Sequence, residues 1–259
     1  MSPAGNDRWI RCFEPRPRSG RRLVCFPHAG GSASHYFALS RALPDTEVLA
    51  VQYPGRQDRH AEPCVDSLTG LADRVHDVLR RRAGTPCAFF GHSMGAVIAF
   101  EVAQRLQRED AASPSHLFVS SRRAPSRYRE GAVHRQSDAG VVSELRRLGG
   151  TDERFLADEE LRAAVLKVTR ADYKAIETYR WVPEPPLTCP ITALVGDSDP
   201  HTSRDEASAW AAHTTGPFRL HTFPGGHFYL DPASPEVTDV LATALAGTAT
   251  GGRPERSAS

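Results

Sequence analysis

Short apolar runs that stop at glycine or proline recur along the chain, separated by longer stretches with apolar residues three or four positions apart. The runs "RRLVCFPHAGG" (21–31), "TEVLAVQYPGR" (46–56), "CAFFGHSMG" (87–95), "HLFVSSRRAP" (116–125), "PITALVGDSDP" (190–200) and "FRLHTFPGGHF" (218–228) read as buried strands that pass into tight loops. Between and after them, "ASHYFALSRAL", "SLTGLADRVHDVLRRR", "AVIAFEVAQRLQRE", "TSRDEASAWAAH" and "SPEVTDVLATALAG" have helical spacing. In the second of these, Leu68, Leu71, Val75, Val78 and Leu79 share one face. Strands alternating with helices predict an α/β fold, with a mostly parallel central sheet covered on both faces.

The alternation breaks once. Residues 125–185 hold three helical stretches, "AGVVSELRRLGG", "DEELRAAVLKVTRADYKAIETY" and the short link between them, and no strand pattern. A helical block inserted between two strands sits above the strand ends, where open α/β sheets bind their ligands. The expected organisation is a core built from residues 1–124 and 186–247, a helical lid at 125–185, and a small polar tail at 248–259 that is disordered.

Composition narrows the function. A chain of 259 residues with 40% hydrophobic content can build one sizeable core. A net charge of +1 gives no reason to expect nucleic acid as a partner. No run of 18 apolar residues and no signal-peptide pattern occurs, so the expected location is cytoplasmic, with no membrane partner. Five cysteines, odd in number and without a CxxC pair, argue against a disulfide framework and a zinc site. Arginine supplies 30 of the 32 basic residues, Lys167 and Lys174 being the only lysines, a bias that suits a GC-rich genome.

The chemistry is concentrated in three loops. Gly91-His92-Ser93-Met94-Gly95 fits G-x-S-x-G between a strand and a helix, the context in which the central serine is an exposed nucleophile and the glycines relieve crowding. A serine hydroxyl needs a base to take its proton, and the base needs a third group to orient it. In this sheet order both should follow the serine in loops beyond later strands. "GDSDP" offers Asp197 and Asp199; Asp199 lies further into its loop and is the expected acid, while Asp197 suits the turn. Of eleven histidines, His227 alone ends the last strand run in the required order and is the expected base. His92 adjoins the nucleophile, His28 belongs to the first loop and His201 follows the acid too closely to be an independent arm. Backbone amides of Met94 and, in "PHAGG", of Ala29 in preference to Gly30 are the expected donors to an oxyanion.

With these residues in place, the chain resembles the type II thioesterases of the α/β-hydrolase superfamily, stand-alone editing enzymes of polyketide and nonribosomal peptide assembly lines. The resemblance runs from about residue 20 to 245 and rests on "CFPHAGGSASHYF", "VQYPGRQDR", "FFGHSMGAVIAFEVAQRL", "VTRADYKAIETYRW", "GDSDP" and "PGGHFYL". It implies the triad Ser93, Asp199 and His227, and an oxyanion loop spanning Phe26–Gly31. It further implies hydrolysis of acyl groups from the phosphopantetheine arm of an acyl or peptidyl carrier protein, with no cofactor of the enzyme's own. Phe26, His28, Leu145 and Phe155 are then candidates for substrate binding, with Leu148, Leu156, Leu161, Val165 and Leu166 as further lining. Arg122, Arg123, Arg127 and Arg129 form a candidate patch for docking an acidic carrier, whereas Arg56 and Arg59 are expected to stabilise their own loop. A carboxylesterase or lipase acting on oxygen esters is the alternative, since fold and triad do not fix the leaving group.

Overall fold

In the computed structural model, which describes residues 8–82, 87–109, 113–230 and 234–247, the alternation of the strands sorts their side chains into two layers. The strands are β1 (Ile10–Arg11), β2 (Arg22–Phe26), β3 (Glu47–Val51), β4 (Cys87–His92), β5 (Leu117–Ser120), β6 (Ile191–Gly196) and β7 (Phe218–Phe223). Because successive side chains point to opposite faces, Val24, Phe26, Leu49, Val51 and Phe89 enter one core. Leu23, Cys25, Val48, Ala50, Ala88 and Phe90 enter the other.

The strand order is β1-β3-β2-β4-β5-β6-β7, and every pair is parallel except β1 with β3. Six strands coincide with the apolar runs. The seventh, β1, carries no periodic signal, because two residues pairing as Ile10↔Val51 and Arg11↔Ala50 are too short to show one. The expected disordered tail lies outside the described residues.

The helices are α1 (Phe37–Ala42), α2 (Leu68–Arg80), α3 (Met94–Arg108), α4 (Asp138–Leu148), α5 (Glu153–Ala157), α6 (Glu159–Thr178), α7 (Arg204–Ser208) and α8 (Pro235–Gly247). The apolar faces of α2 and α3 cover one side of the sheet through Leu71, Val75, Ile98 and Phe100. Leu39 of α1 and Val237, Leu241 and Leu245 of α8 cover the other. Side-chain caps fix several starts: Ser67 accepts from the Gly70 amide, Ser137 from that of Gly140 and Asp158 from that of Leu161, and Ser203 with Glu206 closes a capping box.

Helices α4, α5 and α6 fall between β5 and β6 in the chain and have a small core of their own, made by Val141, Val142, Leu145, Leu156 and Leu166. The second half of α6 leaves that cluster, and Ala175 and Ile176 join the main core. One helix thus ties the inserted block to the sheet.

Among the described residues, no helix is long and apolar enough to cross a membrane. Cys12, Cys25, Cys64, Cys87 and Cys189 are all free thiols.

Candidate active site

The turn from β4 into α3 puts Ser93 at φ 53°, a left-handed backbone conformation that costs a non-glycine residue energy and is held here by its surroundings. Its amide donates to the carbonyl of Ser120 at 2.8 Å, tying the elbow to the neighbouring strand. The flanking glycines leave no room for a side chain. A Cβ on Gly91 would stand 2.3 Å from the carbonyl oxygen of Gly95, and one on Gly95 would stand 2.0 Å from that of Phe26. The serine is thereby raised above the sheet edge with its hydroxyl free to meet other loops.

His227 and Asp199 come to it from the loops after β7 and β6. His227 Nδ1 donates to Asp199 Oδ1 and Oδ2, both at 3.0 Å, which makes Nε2 an acceptor, and Ser93 Oγ lies 3.0 Å from it. The imidazole is 3% exposed and the carboxylate fully covered. Burial works to raise the carboxyl pKa of Asp199, but the hydrogen bond and charge of His227 and the amide of His201 outweigh it, so the net shift is downward. Asp197 plays the turn role instead: exposed, it accepts the Gly225 amide at 3.0 Å and so steadies the loop that carries His227. The two loops approach so closely that a Cβ on Gly196 would lie 2.3 Å from the carbonyl oxygens of Gly225 and Gly226.

The loop after β2 supplies backbone donors. The Gly30 amide is committed to Asp172 Oδ2 at 2.8 Å and the Gly31 amide to the carbonyl of His28 at 2.9 Å. The Ala29 amide has no such acceptor among the described residues, and Ala29 and Met94, the first residue of α3, line the same cavity as Ser93.

A cavity of about 650 Å³ opens at Ser93, bounded by the first loop on one side and by α4, α5 and α6 on the other. Leu145, Leu148, Phe155, Leu161 and Val165 line it, as does His28. Leu156 and Leu166 do not, because they fill the small core of the inserted helices. Phe26 does not either: it ends β2 on the side facing α3, fully buried, with its ring 5.2 Å from that of Phe89. Of the four arginines expected on a docking face, Arg122 is turned inward and lines the cavity. Arg129 pairs with Glu206, and Arg123 donates to the Arg129 carbonyl at 3.3 Å.

A model of the thioesterase domain matches residues 21–245. The chain belongs to the thioesterase family. It is 50% identical over 240 residues to thioesterase PikA5 of Streptomyces venezuelae, covering 92% of this chain and 85% of the relative. The structure of BorB, a type II thioesterase from the borrelidin biosynthetic cluster, superposes with a TM-score of 0.87 at 49% identity, covering 94% of this chain and all of that one. YbtT, a type II thioesterase from the yersiniabactin pathway, gives 0.82 at 29% identity over 93% and 99% of the two chains. The architecture is that of the α/β hydrolases, as the sequence leads one to expect.

Several parts of this thioesterase's site are not readable from local sequence. Arg56 and Asp172, 116 positions apart, form a buried bidentate pair at 2.7 and 2.9 Å, and Arg56 also holds the Gly31 carbonyl at 2.9 Å. The loop-stabilising role expected of Arg56 is therefore exercised through α6. Ser121 donates to the His227 carbonyl at 2.9 Å, and a chain from His92 Nδ1 through Ser120 Oγ to Tyr229 OH, at 2.9 and 2.7 Å, backs the elbow. His28, His35 and His92 pack with Phe228 around His227, their rings 4.8 to 6.5 Å apart. Burial holds their pKa values below the ordinary 6.5, so they stay uncharged beside the base. The only cue to these contacts lies in the "RAD" of "VTRADYKAIETYRW", an acid inside an otherwise amphipathic helix.

Proposed function

We propose that this thioesterase is a type II editing enzyme that clears acyl groups from the phosphopantetheine arm of acyl or peptidyl carrier proteins through an acyl-enzyme. The observation that carries the reading is the hydrogen-bonded line Ser93–His227–Asp199 at the mouth of an apolar-lined cavity. His227 Nε2 takes the Ser93 proton as Oγ attacks the thioester carbonyl, and Asp199 stabilises the imidazolium that forms. The oxyanion is met by the amides of Ala29 and Met94, each such donor being worth roughly 3 to 4 kcal/mol. As the tetrahedral adduct collapses, the C–S bond breaks and the pantetheine sulfur leaves with the proton from Nε2. A thiol of pKa near 8.5 makes this departure easier than that of an alkoxide. Water then attacks the Ser93 ester, giving its proton to His227, and the acid is released as Oγ recovers that proton. The kinship with thioesterases from biosynthetic clusters supports the carrier-bound substrate.

The test is deacylation of acyl-phosphopantetheinyl carrier proteins beside matched oxygen esters. Ser93→Ala should lower carrier deacylation by at least about 10⁴-fold. Turnover of simple oxygen esters equal to that of carrier thioesters would replace this reading with that of a general carboxylesterase.

A further inference from the structure

Arg122 is a partly buried charge with no counter-charge among the described residues. It stands two residues beyond β5, its carbonyl fixed by Trp210 Nε1 at 2.8 Å. Its side chain stands where the main cavity meets a second one of about 260 Å³, and it lines both. Its Nε is cut off from solvent and has no hydrogen-bond partner, and among the described residues the guanidinium makes no ion pair. The nearby carboxylates are already committed. Glu144 is taken by Arg147 and His201, and Glu177 by the ring and amide of His134 and the amide of Val133. The second cavity is lined by Arg123, Arg129 and Arg147 as well as by Glu130, Glu144 and Glu177, and none of these acids pairs with Arg122.

An unpaired charge held partly out of water contributes nothing to the fold and costs it free energy. Burial, followed by the charge of Arg123, pulls its pKa down to about 9, which still leaves it protonated at neutral pH. A planar guanidinium with free donors at a cavity wall is suited to gripping a carboxylate or phosphate through two parallel hydrogen bonds.

We propose that Arg122 recognises an anionic group of the acyl-thioester substrate. The inference rests on the carrier-thioesterase reading above, whose substrate offers such a group at two places. One is a carboxylate on the acyl chain, as in the monothioester of a dicarboxylic acid, which would lie in the main cavity close to Ser93. The other is the phosphate of the pantetheine arm, which would lie along the second cavity. Arg122 thus selects which thioesters are held, while Ser93 and His227 cleave them.

The experiment compares kcat/KM of the full chain and of Arg122→Gln and Arg122→Lys on two pairs of thioesters. Malonyl- against acetyl-N-acetylcysteamine isolates a carboxylate, and acetyl-phosphopantetheine against acetyl-pantetheine isolates the phosphate. Within one pair, the anionic-to-neutral ratio should fall about ten- to hundredfold in Arg122→Gln and be partly restored in Arg122→Lys. Being a ratio, it does not depend on how much of a variant is folded. A fall in the first pair assigns the acyl carboxylate, and a fall in the second assigns the phosphate. Ratios identical in wild type and Arg122→Gln for both pairs overturn the inference. Absence of Ser93-dependent hydrolysis of the acetyl thioesters in wild type would instead sink the thioesterase reading itself.

Discussion

Two arginines border the same cavity and are treated in opposite ways. Arg56 is 7% exposed and paired through two hydrogen bonds with Asp172, whose other contact is the Gly30 amide. Arg122 also lines that wall but pairs with no acid among the described residues, the nearby Glu144 and Glu177 being held by other partners. The first pair joins three separate stretches of chain, the loop after β2, the "YPGR" loop and α6, and both oxygens of the carboxylate are used. The second leaves donors open toward empty space. Buried charge that is fully matched specifies a structure, whereas charge left unmatched on a cavity wall points to what enters the cavity.

Acid should erase this contrast most strongly, because it would turn neutral buried groups into unpaired charges like Arg122. Burial lowers the pKa values of His28 and His92 well below 6.5, and brings those of His116 and His213 to about 4. Below pH 6.5 the unfolded chain therefore binds more protons than the folded one, and stability falls as the pH drops toward 4. Each histidine can contribute up to about 1.4 kcal/mol per pH unit, so the melting midpoint should fall by many degrees between pH 7.5 and 5. A midpoint independent of pH across that window would contradict the burial of neutral imidazoles.

Asp172→Ala would make Arg56 into a second Arg122. Stranding that guanidinium should cost about 3 to 5 kcal/mol, read as a melting midpoint lower by on the order of 10 °C. A loss under about 1 kcal/mol would show that the pair is not the anchor described. Replacing both partners, Arg56→Met with Asp172→Leu, should cost less than Asp172→Ala alone, roughly 2 kcal/mol, since no uncompensated charge remains, although the Gly30 amide and the Gly31 carbonyl both lose their partners. Chemical denaturation of the single and double variants would measure the difference; a double variant weaker than the single would break the argument. Arg122→Met should have the smallest effect, within about 1 kcal/mol of wild type and in the stabilising direction, because no partner is lost. A large destabilisation would mean that Arg122 holds the fold rather than a ligand.

These pairings also mark the boundary of what could be read in advance. Strand runs, helix faces and the elbow are local, and period-2 and period-3.6 patterns announce them. That Ser93, Asp199 and His227 come together was legible because each stands at a strand end whose place in the order is fixed by topology. Phe26 misled for a local reason too: at a strand's last position, alternation decides which face a side chain takes, and the motif around it does not. Arg56 with Asp172, Ser121 with His227, and the inward turn of Arg122 depend on side-chain directions between segments far apart in sequence. No single stretch carries that information.

Helix α6, about 30 Å long at 1.5 Å per residue, begins in the small core of the inserted helices at Leu166 and ends in the main core at Ile176, with Asp172 between them. Its two ends thus pack into a small cluster and a large one, which should open with unequal free energies. Amide hydrogen exchange along this one helix should therefore show a step, fast before the aspartate and slow after it, as on a lever whose fulcrum is the Arg56–Asp172 pair. The loop after β2 would share the slow side of that step, because Gly30 and Gly31 are fastened at the pivot.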